Sequence, residues 1–296
     1  MWDGSPPAAC AWCGAPLRDG ERLAGRTRCR GCGVATTDPW PTAAALDRAY
    51  GEWYRPGSGR FSGRGDALLR LTRGSLARRL DRIAPPGPVL DVGAGDGTLL
   101  AALRRRGRAA TGLERDGSGD PAAESIDAVE GSWAAIVFWH SLEHLPEPAS
   151  ALARAAKLLA PGGVIVIAVP NSASLQARVF GDRWLALDPP RHLVHLTEAA
   201  LRARLQELGL RVERVGYLRG GQVVFGWLEG LVGSLPGRPR LYEAIRRPAA
   251  RALPLPPACR AATLLAGALL LPVALAATAV ELLARRGGTV YVEARG

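Results

Sequence analysis

Three glycines at alternate positions follow a short apolar run in the first half of the chain. The run Pro88–Val92 has strand character, and Gly93, Gly95 and Gly97 come directly after it. Thr98 then starts a pattern of apolar residues with helical spacing. A strand, a glycine turn and a helix in this order let backbone N–H groups approach a ligand closely and point at it. The stretch therefore predicts a nucleotide-binding turn.

An acidic residue follows the next apolar run. Ala109–Leu113 has strand character and ends in Glu114, whose carboxylate can accept hydrogen bonds from both hydroxyls of a ribose. The turn itself reads D-x-G-x-G-x-G from Asp91 to Gly97, with Ala94 between its first two glycines, and not G-x-G-x-x-G as in dinucleotide-binding proteins. We therefore expect Asp91, Ala94 and Glu114 to contribute to a cofactor site. A tight turn that only joins a strand to a helix is the alternative.

Polar side chains follow a further buried run. Ala135–Trp139 has the pattern of a buried strand, and His140, Glu143 and His144 come next. Ligands of open α/β sheets bind beyond the carboxyl ends of the strands. Trp139, His140 and Glu143 are therefore predicted to line the cofactor and substrate cleft, and His144 is a weaker candidate. The alternative is that these polar groups cap the following turn and helix.

A second histidine segment lies later in the chain. Asp182–Thr197 contains Arg191, His192 and His195 after two prolines. A histidine with a near-neutral pKa can take a proton from a hydroxyl or amine during group transfer. We therefore predict His140 and His192 as catalytic residues. A structural role for His192 or His195 is the alternative.

Four cysteines near the N-terminus are spaced as in zinc sites. They read C-x2-C, fifteen residues, C-x2-C, and are Cys10, Cys13, Cys29 and Cys32. Two such knuckles can close a tetrahedron of thiolates around Zn²⁺, which leaves no open position for catalysis. We predict a structural zinc ribbon. The fifth cysteine, Cys259, stands alone, and an odd cysteine count favours a reducing compartment.

The combined motifs resemble a known family. The stretch Asp91–Gly97 resembles motif I of class I S-adenosylmethionine-dependent methyltransferases, and Leu142–His144 resembles the "LEH" segment of the subgroup that includes ubiquinone-biosynthesis-type O-methyltransferases. The resemblance implies an α/β fold with a doubly wound, mostly parallel seven-stranded sheet, and S-adenosylmethionine as the cofactor. It also implies a third strand over Ser125–Val129 and an acidic residue that binds the adenine amino group. Asp127 and Glu130 are both candidates for that contact.

The elements that must position these residues divide the chain into five segments. Strand and helix patterns alternate from Val89 to Val169, which favours a parallel sheet. The predicted segments are a zinc ribbon (1–38), a linker or lid (39–65), a methyltransferase core (66–222), an apolar helical insertion (223–286) and the last strand of the core (287–296).

The insertion raises the question of a membrane. Ala261–Val280 has bilayer-spanning length and no charged residue, but Gly287–Arg295 alternates like a strand that belongs in the sheet. Arginines lie on both sides of the apolar stretch. We therefore expect a hairpin bent at Pro272 that dips into the cytoplasmic leaflet, with Val223–Leu235 as its partner. The alternative is a soluble helix pair that covers the sheet edge or forms a dimer contact.

Composition sets the remaining expectations. The chain has 296 residues and a formal net charge of +11, and Lys157 is its only lysine. Met1–Ala9 lacks the apolar region of a signal peptide, so we expect a cytoplasmic protein, attached to the inner face of the membrane if the insertion binds it. The first functional hypothesis is methyl transfer to a small-molecule, glycan or lipid-linked acceptor. The alternatives are an RNA methyltransferase that holds RNA with its ribbon and arginines, and a non-catalytic ribbon module; nucleic acid is the less favoured partner.

Overall fold

The computed structural model describes residues 2–51, 61, 63–114, 125–218, 223–252 and 254–296. Residues 52–60 and 62 of the predicted linker or lid lie outside the described residues, as do residues 115–124, 219–222 and 253.

The N-terminal segment consists of short strands and one helix. Thr42 caps the helix, because its Oγ1 accepts a hydrogen bond from the Ala45 N–H at 3.2 Å. This helix falls within the predicted linker. The elements are β1 (Gly4–Ser5), β2 (Glu21–Leu23), β3 (Arg26–Arg28), β4 (Ala35–Thr37), β5 (Trp40–Pro41) and α1 (Ala43–Ala49).

The core alternates strands and helices. In chain order the elements are α2 (Gly63–Ile83), β6 (Val89–Val92), α3 (Thr98–Arg104), β7 (Ala110–Leu113), β8 (Trp133–Trp139), α4 (Pro148–Leu158), β9 (Leu159–Pro170), α5 (Leu175–Phe180), β10 (Val194–His195), α6 (Glu198–Glu207) and β11 (Arg211–Gly216). The C-terminal part adds α7 (Val223–Val232), α8 (Leu241–Ile245), α9 (Pro257–Leu283) and β12 (Thr289–Arg295).

Within the described residues the central sheet has six strands, in the order β11-β12-β9-β8-β6-β7. The strands β6 to β9 are parallel, and β12 runs antiparallel between β9 and β11. The predicted last strand is therefore confirmed. The predicted third strand is wrong, because Ile126–Ala128 is a 3₁₀ turn. The Ser125 hydroxyl accepts a hydrogen bond from the Asp127 N–H at 3.2 Å, and such local bonds compete with sheet pairing.

Helices cover both faces of this sheet. Successive strand residues point to opposite faces, so Ala135 and Val137 pack on α2 and α3, while Ile136 and Phe138 pack on α4 and α6. The N-terminal segment belongs to this second face, where Trp12 is buried with the α4 and α6 side chains. The ribbon is thus part of the main core.

The ribbon and the core also share a sheet. The strand β10, from the core, pairs antiparallel with β4 and extends the ribbon to four strands in the order β10-β4-β3-β2. The predicted histidine segment is therefore joined to the ribbon by backbone hydrogen bonds.

The apolar insertion packs as helices on the core. The inner face of α9 lies against α7, and Trp227 Nε1 donates a hydrogen bond to Glu281 Oε2 at 2.9 Å. The predicted bend at Pro272 is wrong, because α9 continues through it. Its exposed ring lies on the outer side, while Gly267 and Ala274 hold the inner side against the protein. Among the described residues α9 is the helix long and apolar enough to cross a membrane.

Candidate active site

The glycine turn joins β6 to α3. Gly93, Gly95 and Gly97 all have positive φ, at 80°, 63° and 68°, a conformation that glycine adopts at little cost. The N–H groups of Gly93 and Ala94 both donate to the Leu113 carbonyl at 2.9 Å, so that the turn is attached to β7. The predicted turn therefore sits at the carboxyl end of the first core strand.

Glu114 organises this turn. Its Oε2 accepts a hydrogen bond from the Gly95 N–H at 2.5 Å. The sequence motif suggested a contact with a ribose, and that contact stays a prediction. The structure adds a second role, because the carboxylate orders the backbone that would meet the ligand.

Asp91 lies beneath the turn at the end of β6 and is almost fully buried. Burial raises the pKa of its carboxyl to about 7, and the charges of Glu114 and Asp96 add to this, while Arg73 opposes it. The Arg73 guanidinium also lies 5.0 Å from the ring centre of Trp139, at the end of β8. Asp91 and Trp139 thus flank the glycine turn at one edge of the sheet.

The predicted polar residues after β8 and in the late segment meet at that edge. All four histidines of the chain and Glu143 lie in one cluster, although 52 residues separate the first catalytic candidate from the second. Its members are His140, His144, His192, His195 and Glu143.

Glu143 is at the centre of the cluster. It is 1% exposed, and neither carboxylate oxygen has a hydrogen-bond partner within the part of the chain that the structure describes. Burial by itself raises the pKa of this carboxyl. The imidazoles of His140, His144 and His192 have the larger, opposite effect, so that the pKa is lowered to about 2. Because a buried carboxylate is costly unless it is paired, Glu143 favours a positive charge beside it.

His192 has the tautomer that a base needs. Its Nδ1 lies 2.8 Å from the Ala186 carbonyl oxygen, and because a carbonyl can only accept, Nδ1 carries the proton. In the neutral ring Nε2 then has the free lone pair. This Nε2 lies 4.0 Å from Glu143 Oε1 and 3.8 Å from Asp188 Oδ2. A proton taken up by Nε2 would therefore face two carboxylates.

His140 is held in a strained position. Its φ is 53°, which non-glycine residues rarely adopt, and its N–H donates to the Ala168 carbonyl at 2.8 Å. The ring Nδ1 lies 3.4 Å from Glu143 Oε1. The hydrogen bond to β9 maintains this strained backbone, which directs the His140 side chain towards Glu143.

The other two histidines have low pKa values. Burial and the proximity of His192 lower the pKa of His144 to about 4. The same two causes lower the pKa of His195 to about 3. His195 Nε2 forms a hydrogen bond with Thr37 Oγ1 at 3.2 Å, so this ring nitrogen is already used in a contact with the ribbon. Glu143, His144 and His192 also offer one ligand atom each within 4.8 Å of one another, a donor set that fits a divalent cation.

Sequence reasoning missed Tyr50 and Asp188 as neighbours of the cluster, whereas Arg191 belongs to the predicted histidine segment. Tyr50 OH lies 2.9 Å from His144 Nδ1, Asp188 faces His192, and Arg191 donates to the Ala49 carbonyl at 3.0 Å. Tyr50 directly follows α1, inside the predicted linker. The contact between Tyr50 and His144 joins distant parts of the chain, and no local pattern marks it. Asp188 lies only four residues before His192, inside the predicted histidine segment.

The predicted adenine contacts lie apart from this cluster. Asp127 is in the 3₁₀ turn that replaces the third strand, and Glu130 follows it, and both are exposed. Either residue remains a candidate.

The four N-terminal cysteines come together as their spacing predicts. Cys10 Sγ and Cys32 Sγ are 3.7 Å apart, as are Cys13 Sγ and Cys29 Sγ. One sulfur from each cysteine lies within 4.8 Å of all the others. Four converging thiols are a donor set that fits Zn²⁺.

Comparison with known proteins shows the family. The family model described as "Methyltransferase domain" matches residues 68–215, half of the chain. The chain is 31% identical over 160 residues to the ubiquinone biosynthesis O-methyltransferase of Xanthomonas axonopodis pv. citri (strain 306), covering 45% of this chain and 67% of that protein. It is 33% identical over 105 residues to the protein of the same name from Psychrobacter arcticus, covering 28% and 40%.

The chain thus spans about two thirds of the first relative and less than half of the second. Among solved structures, a SAM dependent methyltransferase from Archaeoglobus fulgidus is similar with a TM-score of 0.45 and 16% identity, over 76% of this chain and 93% of that one. The chain therefore belongs to the methyltransferase domain family, the S-adenosylmethionine-dependent methyltransferases of class I.

Proposed function

We propose that this protein transfers a methyl group from S-adenosylmethionine to a hydroxyl oxygen of a small-molecule, glycan or lipid-linked acceptor. The observation that carries the proposal is the position of the His192 Nε2 lone pair, which faces the buried Glu143 carboxylate. The names of the relatives support oxygen as the methylated atom. The glycine turn and this cluster occupy the same edge of the sheet, as a direct transfer requires.

The donor side consists of the glycine turn and the acidic residue after β7. When bound, S-adenosylmethionine supplies an electrophilic methyl group. Gly95 and Gly97 let the backbone approach the donor, and Glu114 accepts from the ribose while it orders the turn. Trp139 and His140 line the space between donor and acceptor.

On the acceptor side, His192 takes the proton of the acceptor hydroxyl at Nε2. The Ala186 carbonyl holds Nδ1, so the ring keeps the correct tautomer and orientation. Glu143 stabilises the imidazolium that forms, because its carboxylate is buried beside the ring. His140, 3.4 Å from the same carboxylate, orients the acceptor or replaces His192 as the base.

The replacement His192→Asn tests this role. The Asn amide mimics Nδ1–H and can keep the bond to Ala186, but it has no nitrogen at the position of Nε2. We expect methyl transfer to fall by about 10²–10⁴-fold, the usual contribution of a general base, with unchanged donor binding. His195→Gln, which keeps the donor to Thr37, serves as the control. Equal activity of His192→Asn and the wild type would contradict the proposal.

The acceptor class is found by supplying methyl-labelled S-adenosylmethionine to lipid, glycan and RNA fractions of a bacterial extract. We expect label in the lipid or glycan fraction. Label in RNA, with an affinity that falls steeply with salt, would instead support the RNA methyltransferase alternative. The non-catalytic alternative predicts neither a labelled product nor co-purifying donor.

We further propose that the enzyme works at the inner surface of an anionic membrane and that α9 docks there. This helix has inverted amphipathicity, because its buried face carries polar residues and its exposed face is apolar. The buried residues are Thr263, Gly267, Ala274, Thr278 and Glu281. The exposed apolar residues include Leu265, Leu269, Val273, Val280 and Leu283. Exposure of such a face to water is unfavourable, whereas its burial among lipid acyl chains is favourable.

Charge and topology favour a surface position. Arg260, Arg285 and Arg286 are exposed at the two ends of α9, where they can rest on anionic headgroups. Since α8 precedes the helix and β12 follows it into the central sheet, both ends stay on the same side of the membrane. An acceptor borne by a lipid would then reach the cleft from the bilayer.

Vesicle sedimentation tests this docking. We expect binding to phosphatidylglycerol vesicles and weak binding to phosphatidylcholine vesicles. Leu269→Glu should abolish it, whereas Leu71→Glu on α2 should not, although the two leucines are similarly exposed, at 71% and 68%. A protein that stays in solution, or that uses this face to form a dimer in light scattering, would contradict the proposal.

Finally, we propose that the four cysteines hold a structural Zn²⁺. All four positions of a tetrahedral ion would be taken by thiolates, so the site would have no open position for a substrate. The closeness of the sulfurs supports this, and metal analysis tests it as described in the Discussion.

A further inference from the structure

The ribbon strand β4 contacts the histidine segment directly. Thr36 pairs with Val194, and Ala35 pairs with His195, in an antiparallel ladder. The zinc-type knuckle that ends at Cys32 lies only five residues before Thr37. The ribbon is therefore fixed to the segment that carries the proposed base.

Thr37 makes the closest contacts in this ladder. It is fully buried, and its hydroxyl donates to the His192 carbonyl at 2.6 Å. Because the hydroxyl proton is used there, Oγ1 accepts from His195 Nε2 at 3.2 Å. The Thr37 N–H donates to the Leu193 carbonyl at 3.0 Å. One residue of the ribbon thus holds His192, Leu193 and His195 of the histidine segment.

The ladder continues to the backbone of Glu143, the residue that bears the buried carboxylate. The Leu193 N–H donates to the Glu143 carbonyl at 2.9 Å. Leu193 therefore joins Thr37 on one side to Glu143 on the other. Within the described residues, three hydrogen bonds hold His192. Its backbone N–H donates to the Asp188 carbonyl at 3.2 Å, and its ring Nδ1–H donates to the Ala186 carbonyl. Its own carbonyl accepts from the Thr37 hydroxyl.

We propose that Thr37 is a positioning residue for His192, and that the ribbon thereby forms part of the acceptor side of the active site. This inference rests on the proposed role of His192 as the base. Of the bonds that hold His192, the one to its carbonyl comes from the ribbon. Without it the peptide group after His192 keeps only the bond from the Leu193 N–H to the Glu143 carbonyl. The group can then tilt, and Nε2 moves relative to the Glu143 carboxylate.

The chain offers a matched set of variants. Thr37→Val keeps the shape and removes the hydroxyl, and Thr37→Ser keeps the hydroxyl. Thr36→Val is the neighbouring control, because the Thr36 hydroxyl accepts from the Ala11 N–H at 3.2 Å, inside the ribbon. All three are made in the full chain.

The first readout is the ¹⁵N spectrum of the imidazoles, which needs no substrate. The four histidines give few signals, which single replacements assign. We expect Thr37→Val to shift the ring signals of His192 and His195, and Thr37→Ser and Thr36→Val to leave them as in the wild type. Unshifted signals in Thr37→Val, or equal shifts in Thr36→Val, would overturn the positioning role.

The second readout is methyl transfer from labelled S-adenosylmethionine into a bacterial lipid extract. We expect kcat to fall about tenfold in Thr37→Val with unchanged donor affinity, and recovery in Thr37→Ser. Shifted imidazole signals with unchanged kcat would overturn the catalytic consequence. His192→Asn separates the two proposals. If His192 is not the base, this variant stays active, while Thr37→Val still shifts the imidazole signals because Thr37 still positions the ring.

Discussion

Gly93 and Ser141 are in direct contact where the glycine turn meets the segment after β8. A Cβ placed on Gly93 would lie 2.5 Å from the Ser141 Cβ, closer than real side chains approach. Ser141 lies between His140 and Leu142, and so this contact joins the donor turn to the histidine cluster. The absence of a side chain at position 93 lets the glycine turn and the histidine cluster, the two halves of the proposed active site, meet.

This contact predicts the effect of Gly93→Ala. The new methyl group must displace Ser141, so we expect a loss of about 1–3 kcal/mol in unfolding free energy from overpacking, in addition to the cost of a positive φ. Donor affinity should fall as well. Gly97→Ala is the control for the unfolding free energy, since its φ is also positive but nothing lies within 4 Å of the added Cβ. Urea unfolding and calorimetry with S-adenosylmethionine measure both effects, and equal losses in the two variants would argue against the packing explanation.

The bond from the Gly95 N–H to Glu114 predicts a graded response to replacements of Glu114. Glu114→Ala removes the acceptor and should weaken donor binding by about 1–3 kcal/mol, the range for hydrogen bonds to a charged group. Glu114→Gln keeps a neutral acceptor and should lose less. Calorimetric titration with S-adenosylmethionine checks this order. Unchanged affinity in Glu114→Ala would remove the residue from the donor site.

The thiol cluster predicts about one zinc per chain. The double replacement of Cys29 and Cys32 by Ser should abolish the metal and lower the unfolding midpoint, because the ribbon shares the core of α4 and α6. Cys259→Ser is the control, since this thiol is exposed and outside the cluster. Elemental analysis of protein prepared without chelator gives the answer, and a metal content near zero in the wild type would refute the zinc assignment.

The buried histidines predict that stability falls in acid. Burial lowers the pKa of His144 to about 4 and of His195 to about 3, from an ordinary value of 6.5, so below pH 6.5 the unfolded chain binds more protons than the folded one. The unfolding free energy is therefore highest above pH 6.5 and decreases by up to about 1.4 kcal/mol per pH unit for each histidine as pH falls towards 4. Below pH 4.5 Glu143, whose folded pKa is about 2, adds to the loss.

Urea unfolding between pH 7.5 and pH 4.5 measures this slope. His195→Gln should reduce the slope by the share of one histidine, whatever its effect on stability at neutral pH. A slope that is the same in this variant and in the wild type would show that His195 is not held neutral by burial.

Local patterns were enough to predict most elements. The glycine turn, the cysteine knuckles and the strand over residues 287–296 each follow from a short stretch whose residue types restrict the backbone or the ligand. The third strand failed for an equally local reason, because the Ser125 hydroxyl bonds the Asp127 N–H and closes a turn. At Pro272 the sequence indicated a bend, but packing of the inner face of α9 keeps the helix continuous.

The sequence by itself determined the family, the glycine turn, the cysteine set and the apolar character of the insertion, because these depend on residue types at short spacing. Only the tertiary structure decided that His140 and His192 share Glu143, that Thr37 holds the histidine segment, and which face of α9 is exposed. Each of these depends on how elements far apart in the chain pack together. Periodicity specifies an element and its apolar face, but the partner of that face is chosen by the whole fold.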